Sequence, residues 1–283
     1  MAISQDFQFF YTNAEGKSIL MGAGTNYDVV DIRGLGMPSV RANDVPRLDT
    51  HGALTSRKEL LPGRTVNLQV VVQGDPGDGT LDERVTGISK VCQVHDSPGT
   101  LTFRFPVGYV ATTSSPTDDD RFLTAYCRRI TKMITASQSS GRIPCYIQFE
   151  CPNPVIRCAT QSTSLIELTS FGGGTDFNET FSLGFGTASS LSSLVDNEGN
   201  FPAYPNLRFP GPLVDPGVAN NTKGQWIQLA GVTILQSGTT SIYNKLTNDS
   251  TWWTLDPGLN SLTFTAGSAS AVEMTFNWYH SWI

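Results

Sequence analysis

Charge is scarce in this chain. Asp, Glu, Lys and Arg make up 16% of its 283 residues, where about a quarter is usual. A disordered chain would pair strong net charge with few aromatics, but here the net charge is −6 and aromatics reach 10%. That modest acidity also gives no reason to expect nucleic acid as a direct ligand. Histidine is scarcer still. His51, His95 and His280 include no pair four residues apart and no H-E-x-x-H, so no zinc site is expected. The five cysteines, Cys92, Cys127, Cys145, Cys151 and Cys158, are odd in number and lack C-x-x-C spacing. They read as buried free thiols in a reducing cytosol. No apolar run approaches about 18 residues, so no membrane span is expected. The start, Met-Ala-Ile-Ser-Gln-Asp, lacks the basic and apolar regions of a secretory signal.

Catalytic words are missing too. No G-x-S-x-G occurs, so a nucleophile elbow is not supported. Gly34-Leu-Gly36 runs into Met-Pro-Ser, without a third glycine or a helix to receive a phosphate. Asp118-Asp-Asp120 sits in a Ser/Thr/Pro stretch without EF-hand spacing and reads as a solvated loop tip. The expectation is a protein that is no enzyme and carries no cofactor and no metal.

What is present is turn chemistry and alternation. With 27 Gly and 16 Pro, the chain suits an all-β protein rich in turns. Phe7, Phe9 and Tyr11 alternate before the turn Asn13–Gly16 and the strand Ser18–Met21, a hairpin. Val66–Val72, Leu101–Phe105 and Cys145–Phe149 alternate likewise. One helix, about 81–95, interrupts them. Leu81, Val85, Ile88, Val91 and Cys92 recur at helical spacing, with Thr80 and Glu83 as a capping box.

Cys151-Pro-Asn-Pro154 stiffens the backbone and ends the strand before it. Composition changes here. Residues 1–150 hold 15 Lys and Arg against 16 Asp and Glu, and residues 151–283 hold 4 against 9. Two domains follow, 1–157 and 158–283. The second shows short strands near 181–185, 207–209, 226–229, 232–235, 262–265 and 272–278, with a turn at Asp256-Pro-Gly-Leu-Asn260. Many short strands without a helix read as a sandwich or jelly roll.

In Tyr204–Pro212, Leu207 and Phe209 face one side and Arg208 the other, between prolines that bar a long ladder. A buried Phe209 replaced by Ala should cost about 3–5 kcal/mol. Trp252 and Trp253 are successive, so in a strand they face opposite ways. The pair reads as core plus rim, as a sugar platform, or as a protein contact.

Several words stand in a fixed order: Gly34-Leu-Gly-Met-Pro-Ser-Val-Arg41, Leu48-Asp49, Gly52-Ala53, Pro62-Gly-Arg64, Cys151–Pro154, Tyr204–Pro212, and Leu255–Asn260 running into Leu262-Thr-Phe264. Together they resemble the distal tail proteins of long non-contractile-tailed phages. The resemblance implies a mostly β chain, with an N-terminal β-barrel or sheet domain carrying one helix and a C-terminal galectin-like sandwich. It implies a structural virion protein at the tail tip, made in the host's cytoplasm. Its first domain would form a ring, generally a homohexamer, continuing the tail tube. The tape measure protein and then DNA in transit would pass through the lumen. Further expected partners are the tail tube protein, the tail-tip hub and a receptor-binding protein. For the ring contact, the crowded charges Arg41, Asp44, Arg47, Asp49, Arg57, Glu59 and Arg64 are the candidates. The alternative is a carbohydrate-binding or host-adhesion module on the second domain.

Overall fold

Alternation and turns govern the first elements. The structure is a computed structural model that describes residues 8–40, 45–46, 53–54, 60–104, 120–133, 140–168, 192–209, 213–231, 233–234, 245–266, 268–269 and 272–283. Strand β1 (Gln8–Thr12) buries Phe9 and Tyr11 and pairs antiparallel with β2 (Ser18–Gly22). Asn13 closes the hairpin. Its carboxamide oxygen accepts the N–H groups of Glu15 (3.0 Å) and Lys17 (2.9 Å), the local bonding that makes Asn a turn residue.

Two compact units make up the chain: residues 1–160 with Ile283, and residues 161–282. The first continues with β3 (Tyr27–Arg33), the short pair β4 (Val45–Pro46) and β5 (Ala53–Leu54), and β6 (Arg64–Gln73). Helix α1 (Thr80–Val91), β7 (Gly99–Arg104), β8 (Asp120–Lys132), β9 (Arg142–Cys151) and β10 (Ile156–Cys158) complete it. Seven strands run in the order β2-β1-β7-β8-β9-β6-β3, and β10 pairs with β8. That pairing keeps Cys158 in the first unit, a little beyond the boundary expected at 157/158. Among the described residues β2 and β3, at the two ends, are not hydrogen-bonded to each other. The sheet therefore stays open, where a barrel had been an alternative. Its inner face buries Phe9, Tyr11, Met21, Val66, Leu68, Val70, Leu101, Phe103, Ile147 and Phe149, and α1 adds Leu81 and Ile88.

The helix differs from expectation at both ends. Gly79 is its N-cap, with φ 81°, and no side chain caps it. Thr80 is the first helical residue instead. Its N–H goes to the Asp78 carboxylate (2.9 Å), and its hydroxyl accepts from Asp75 N–H (2.9 Å). A carboxylate beside free N–H groups at a helix start takes the role expected of the capping box. The helix stops at Val91 instead of near His95. There Asn13 reaches across from the hairpin to the Val91 carbonyl (3.3 Å) and the His95 ring (3.1 Å).

In the second unit, β11 (Ser162–Leu168), β20 (Val272–Trp278) and β13 (Asn206–Arg208) form one sheet, in the order β11-β20-β13. A second has the order β12 (Ser192–Asn197), β18 (Gly258–Thr265), β15 (Gly217–Asn220), β16 (Gln225–Gln228). Short strands β14 (Leu213–Val214), β17 (Thr233–Ile234) and β19 (Ser268–Ala269) make a third, and β21 (Ser281–Trp282) ends the chain. Ile166, Met274, Phe276 and Trp278 from the first sheet share one core with Val195, Val218, Ile227, Leu262 and Phe264 from the second, which makes this a β-sandwich. The strand expected at 181–185 lies outside the described residues.

Three fully buried asparagines on neighbouring strands pin one end of this sandwich. Their carboxamides converge on a single segment. Asn220 donates to Thr254 O (3.3 Å), Asn197 to Leu255 O (3.3 Å), and Asn260 to Asp256 O and Gly258 O (both 2.8 Å). Asn260 also accepts the Asp256 N–H at 2.9 Å. The Asp256–Asn260 turn is thus closed by its own last side chain, while Gly258 provides the positive φ of 86°.

Candidate functional site

Among the described residues, a concave surface lies on the outer face of β3, β6, β9 and β8. It is an open groove of about 500 Å³ lined by Asp31, Arg33, Asn67, Gln69, Arg129, Thr131, Tyr146 and Gln148 over Leu68 and Ile147. Strand alternation alone would not assemble it. In β3, Tyr27 and Val29 pair with the inward-facing Val72 and Val70, so Asp31 would follow them inward. A bulge at Val30 shifts the register, so Ile32 faces in and Asp31 and Arg33 face out. In β8, Leu123, Ala125 and Cys127 are buried, and a bulge at Arg128 turns Ile130 inward and Arg129 and Thr131 out. Bulges re-aim side chains in this way and are typical beside binding sites.

The result is two polar rows, each crossing four strands. One runs Arg33–Asn67–Gln148–Arg129 and the other Asp31–Gln69–Tyr146–Thr131. Between the rows, Arg33 Nε donates to Asp31 Oδ2 at 2.8 Å and Arg129 Nε to Thr131 Oγ1 at 3.0 Å. Beside the groove, Arg128 pairs with Glu150 (2.7 Å) and lies over the Tyr126 ring. Neither β3 nor β8 is among the strands expected from sequence, because each bulge breaks the period of two that marks a strand.

Of the ring candidates, Arg41, Asp44, Arg47, Asp49, Arg57 and Glu59 lie outside the described residues. Arg64 opens β6 and is 3% exposed. Its Nη1 donates to Leu35 O at 2.9 Å and ties down the Gly34–Gly36 turn, while Nε and Nη2 have no partner. Burial pulls this guanidinium's pKa below its ordinary value. Gly34 has φ +94°, and a Cβ there would stand 1.8 Å from Thr65 O, so only glycine lets this turn lie against β6.

The tryptophans separate as alternation requires. Trp253 is buried and stacks on Phe276 at 6.0 Å, and Trp252 is 59% exposed. Thr251 N–H bonds Trp226 O at 2.9 Å, so the backbone beside Trp252 is tied to that of the half-exposed Trp226. His280 has a structural place. Its Nδ1 accepts Glu198 N–H (3.0 Å), so Nε2 carries the proton toward Ser162 Oγ (2.9 Å). All five cysteines are free and buried. Cys127 Sγ donates to Cys92 O at 3.1 Å, and burial raises the Cys151 thiol to about 11. Asp118 and Asp119 lie outside the described residues, and Asp120 O accepts Ala159 N–H at 2.7 Å. Among the described residues no three His, Cys, Asp or Glu side chains cluster as metal ligands. Among them, too, no helix is long and apolar enough to cross a membrane.

No family model matches the chain, and no curated protein matches it in sequence. Solved structures do match. The likeness is one of fold and takes in nearly the whole chain. The solved structure that carries this is the Dit protein of phage SPP1, described as a paradigm of the hub adsorption apparatus in phages infecting Gram-positive bacteria. It aligns over 98% of this chain and 99% of its own, with TM-score 0.66 at 14% identity. The chain is Dit-like in fold. A chain of the phage p2 baseplate, in its activated conformation with Sr, aligns over 96% and 97% with TM-score 0.43 and 10% identity, too weak a likeness to argue from.

Proposed function

We propose that this chain is a structural virion protein of a phage tail tip, a distal tail protein that joins the tail tube to the tail-tip hub. The observation that supports it best is the likeness to SPP1 Dit, which takes in both units in the same order over nearly the full length of each chain. In this reading six copies close into a ring through heterologous contacts of the first unit. Arg41, Asp44, Arg47, Asp49, Arg57 and Glu59 supply part of the contact. Arg64 serves it from within the chain, by fixing the turn from which that charged stretch departs. The ring passes the tape measure protein and then DNA. The second unit is a galectin-like sandwich on which a peripheral or receptor-binding protein docks, with Trp252 and Trp226 as apolar anchors. No step of this role is catalytic.

Negative-stain imaging of the purified protein, alone and beside its tail partners, tests the reading. Six-fold rings with outward lobes are expected, and Arg47→Glu should weaken them. A chain that stays monomeric in both settings overturns it. Rings that persist through charge reversal at several of the six positions overturn the contact assignment alone.

A further inference from the structure

We infer that the groove across β3, β6, β9 and β8 binds an extended acidic peptide segment of a partner protein, one with carboxylates four residues apart. The backbone of the groove floor is already committed. β6 is hydrogen-bonded on both edges, by β3 and β9, and β9 by β6 and β8. A guest therefore cannot add as a further strand, and recognition runs through side chains.

Those side chains match a peptide. Each carboxamide of Asn67, Gln69 and Gln148 offers a donor and an acceptor side by side, the complement of one peptide unit. Among the described residues nothing else in the chain engages them. Arg33 and Arg129 close the two ends of one row. Each has its Nε held, by Asp31 and by Thr131, which orients the guanidinium and leaves its Nη edge for a carboxylate. Tyr146, 42% exposed, gives an aromatic face beside the amides.

Spacing selects the motif. The row from Arg33 to Arg129 spans three strand-to-strand steps of about 4.8 Å, so its ends are about 14 Å apart. Residues i and i+4 of an extended chain lie about 13 Å apart and, being an even number apart, point to the same side. Carboxylates at i and i+3 would point to opposite sides. Nucleic acid suits the groove poorly. It offers two arginines, one already paired with Asp31, where a phosphate backbone draws on many cations. The inference does not depend on ring formation, since every residue in it belongs to one chain.

The probe is a fluorescent-labelled peptide, Glu-Ser-Thr-Ser-Glu with blocked ends, titrated into the purified full-length protein and read by anisotropy. Controls are its Gln-for-Glu form, an isomer with the acids three apart, and an unlabelled hexuronate tetrasaccharide as competitor. Saturable binding that weakens with salt is expected, with both control peptides at least about tenfold weaker. Arg129→Ala and Arg33→Ala alter exposed side chains and should leave the melting temperature unchanged. Each should weaken binding roughly 10- to 100-fold, as loss of a charge-assisted contact implies. Absence of saturation at millimolar peptide overturns the inference. So does equal binding by both arginine variants, or displacement by the tetrasaccharide at lower concentration than by the peptide itself.

Discussion

Replacing Asn260 with Ala should destabilise the second unit well beyond the norm for removing one polar side chain. Its carboxamide is fully buried and makes three hydrogen bonds, two donated to Asp256 O and Gly258 O and one accepted from Asp256 N–H. Alanine leaves all three backbone groups without that partner. A buried group so orphaned costs about 1–3 kcal/mol. Gly258 is exposed and Asp256 partly so, and water recovers some of the loss there. We therefore expect about 2–4 kcal/mol in total, less than three times the cost of a single fully buried orphan because all three groups are partly hydrated. The assay is urea unfolding followed by tryptophan emission. All five tryptophans, Trp226, Trp252, Trp253, Trp278 and Trp282, fall within residues 161–282, so the signal reports the second unit. The midpoint should fall with the slope unchanged. Asn221→Ala is the control. Its carboxamide bonds Ser261 Oγ and Thr263 Oγ1 on an exposed face, and its loss should stay within about 0.5 kcal/mol. If the two variants unfold alike, the asparagine clamp contributes nothing and the reasoning fails.

Alkaline pH should weaken the first unit. Burial raises Tyr11 from 10.0 to about 12 and Cys151 from 9.0 to about 11, so the unfolded chain loses these protons first. Stability should hold below about pH 9 and fall as pH rises toward 12, by up to about 2–3 kcal/mol for Tyr11. Urea midpoints read by near-ultraviolet circular dichroism check this, and in Tyr11→Phe the decline should be shallower. Phe209→Ala should cost about 2–3 kcal/mol, less than a fully buried Phe. The ring is only partly buried, against Phe264 at 6.1 Å. A loss near 5 kcal/mol in the tryptophan-detected unfolding would contradict the observed exposure.

Much of the fold is legible wherever one strand face is buried without interruption. β6 buries Val66, Leu68, Val70 and Val72, and β9 buries Cys145, Ile147 and Phe149, each in strict alternation. The turn at Asp256–Asn260 is legible because its proline and glycine constrain φ locally. The helix is visible in the sequence, but its cap is not. Thr80 and Glu83 satisfy the capping pattern, yet the left-handed Gly79 and the carboxylate of Asp78 shift the cap one residue earlier and make Thr80 helical. The groove is not legible at all. Its residues come from four strands, and the two bulges that aim them appear in sequence only as a lapse in periodicity at Val30 and Arg128.

By itself the sequence determined what local chemistry controls: which residues turn the chain and which alternate into a core. It also separated Trp252 from Trp253, because neighbours in an extended chain must face opposite ways. Tertiary structure alone decided what depends on distant partners. Arg64, one more charge in a crowded stretch, became a buried tie to Leu35 because β6 starts beneath that turn. Three asparagines from separate strands became one clamp, and Arg33 and Arg129, far apart in sequence, came to close the ends of one row. Burial and register are properties of pairs of segments, and a single chain read in order holds only half of each pair.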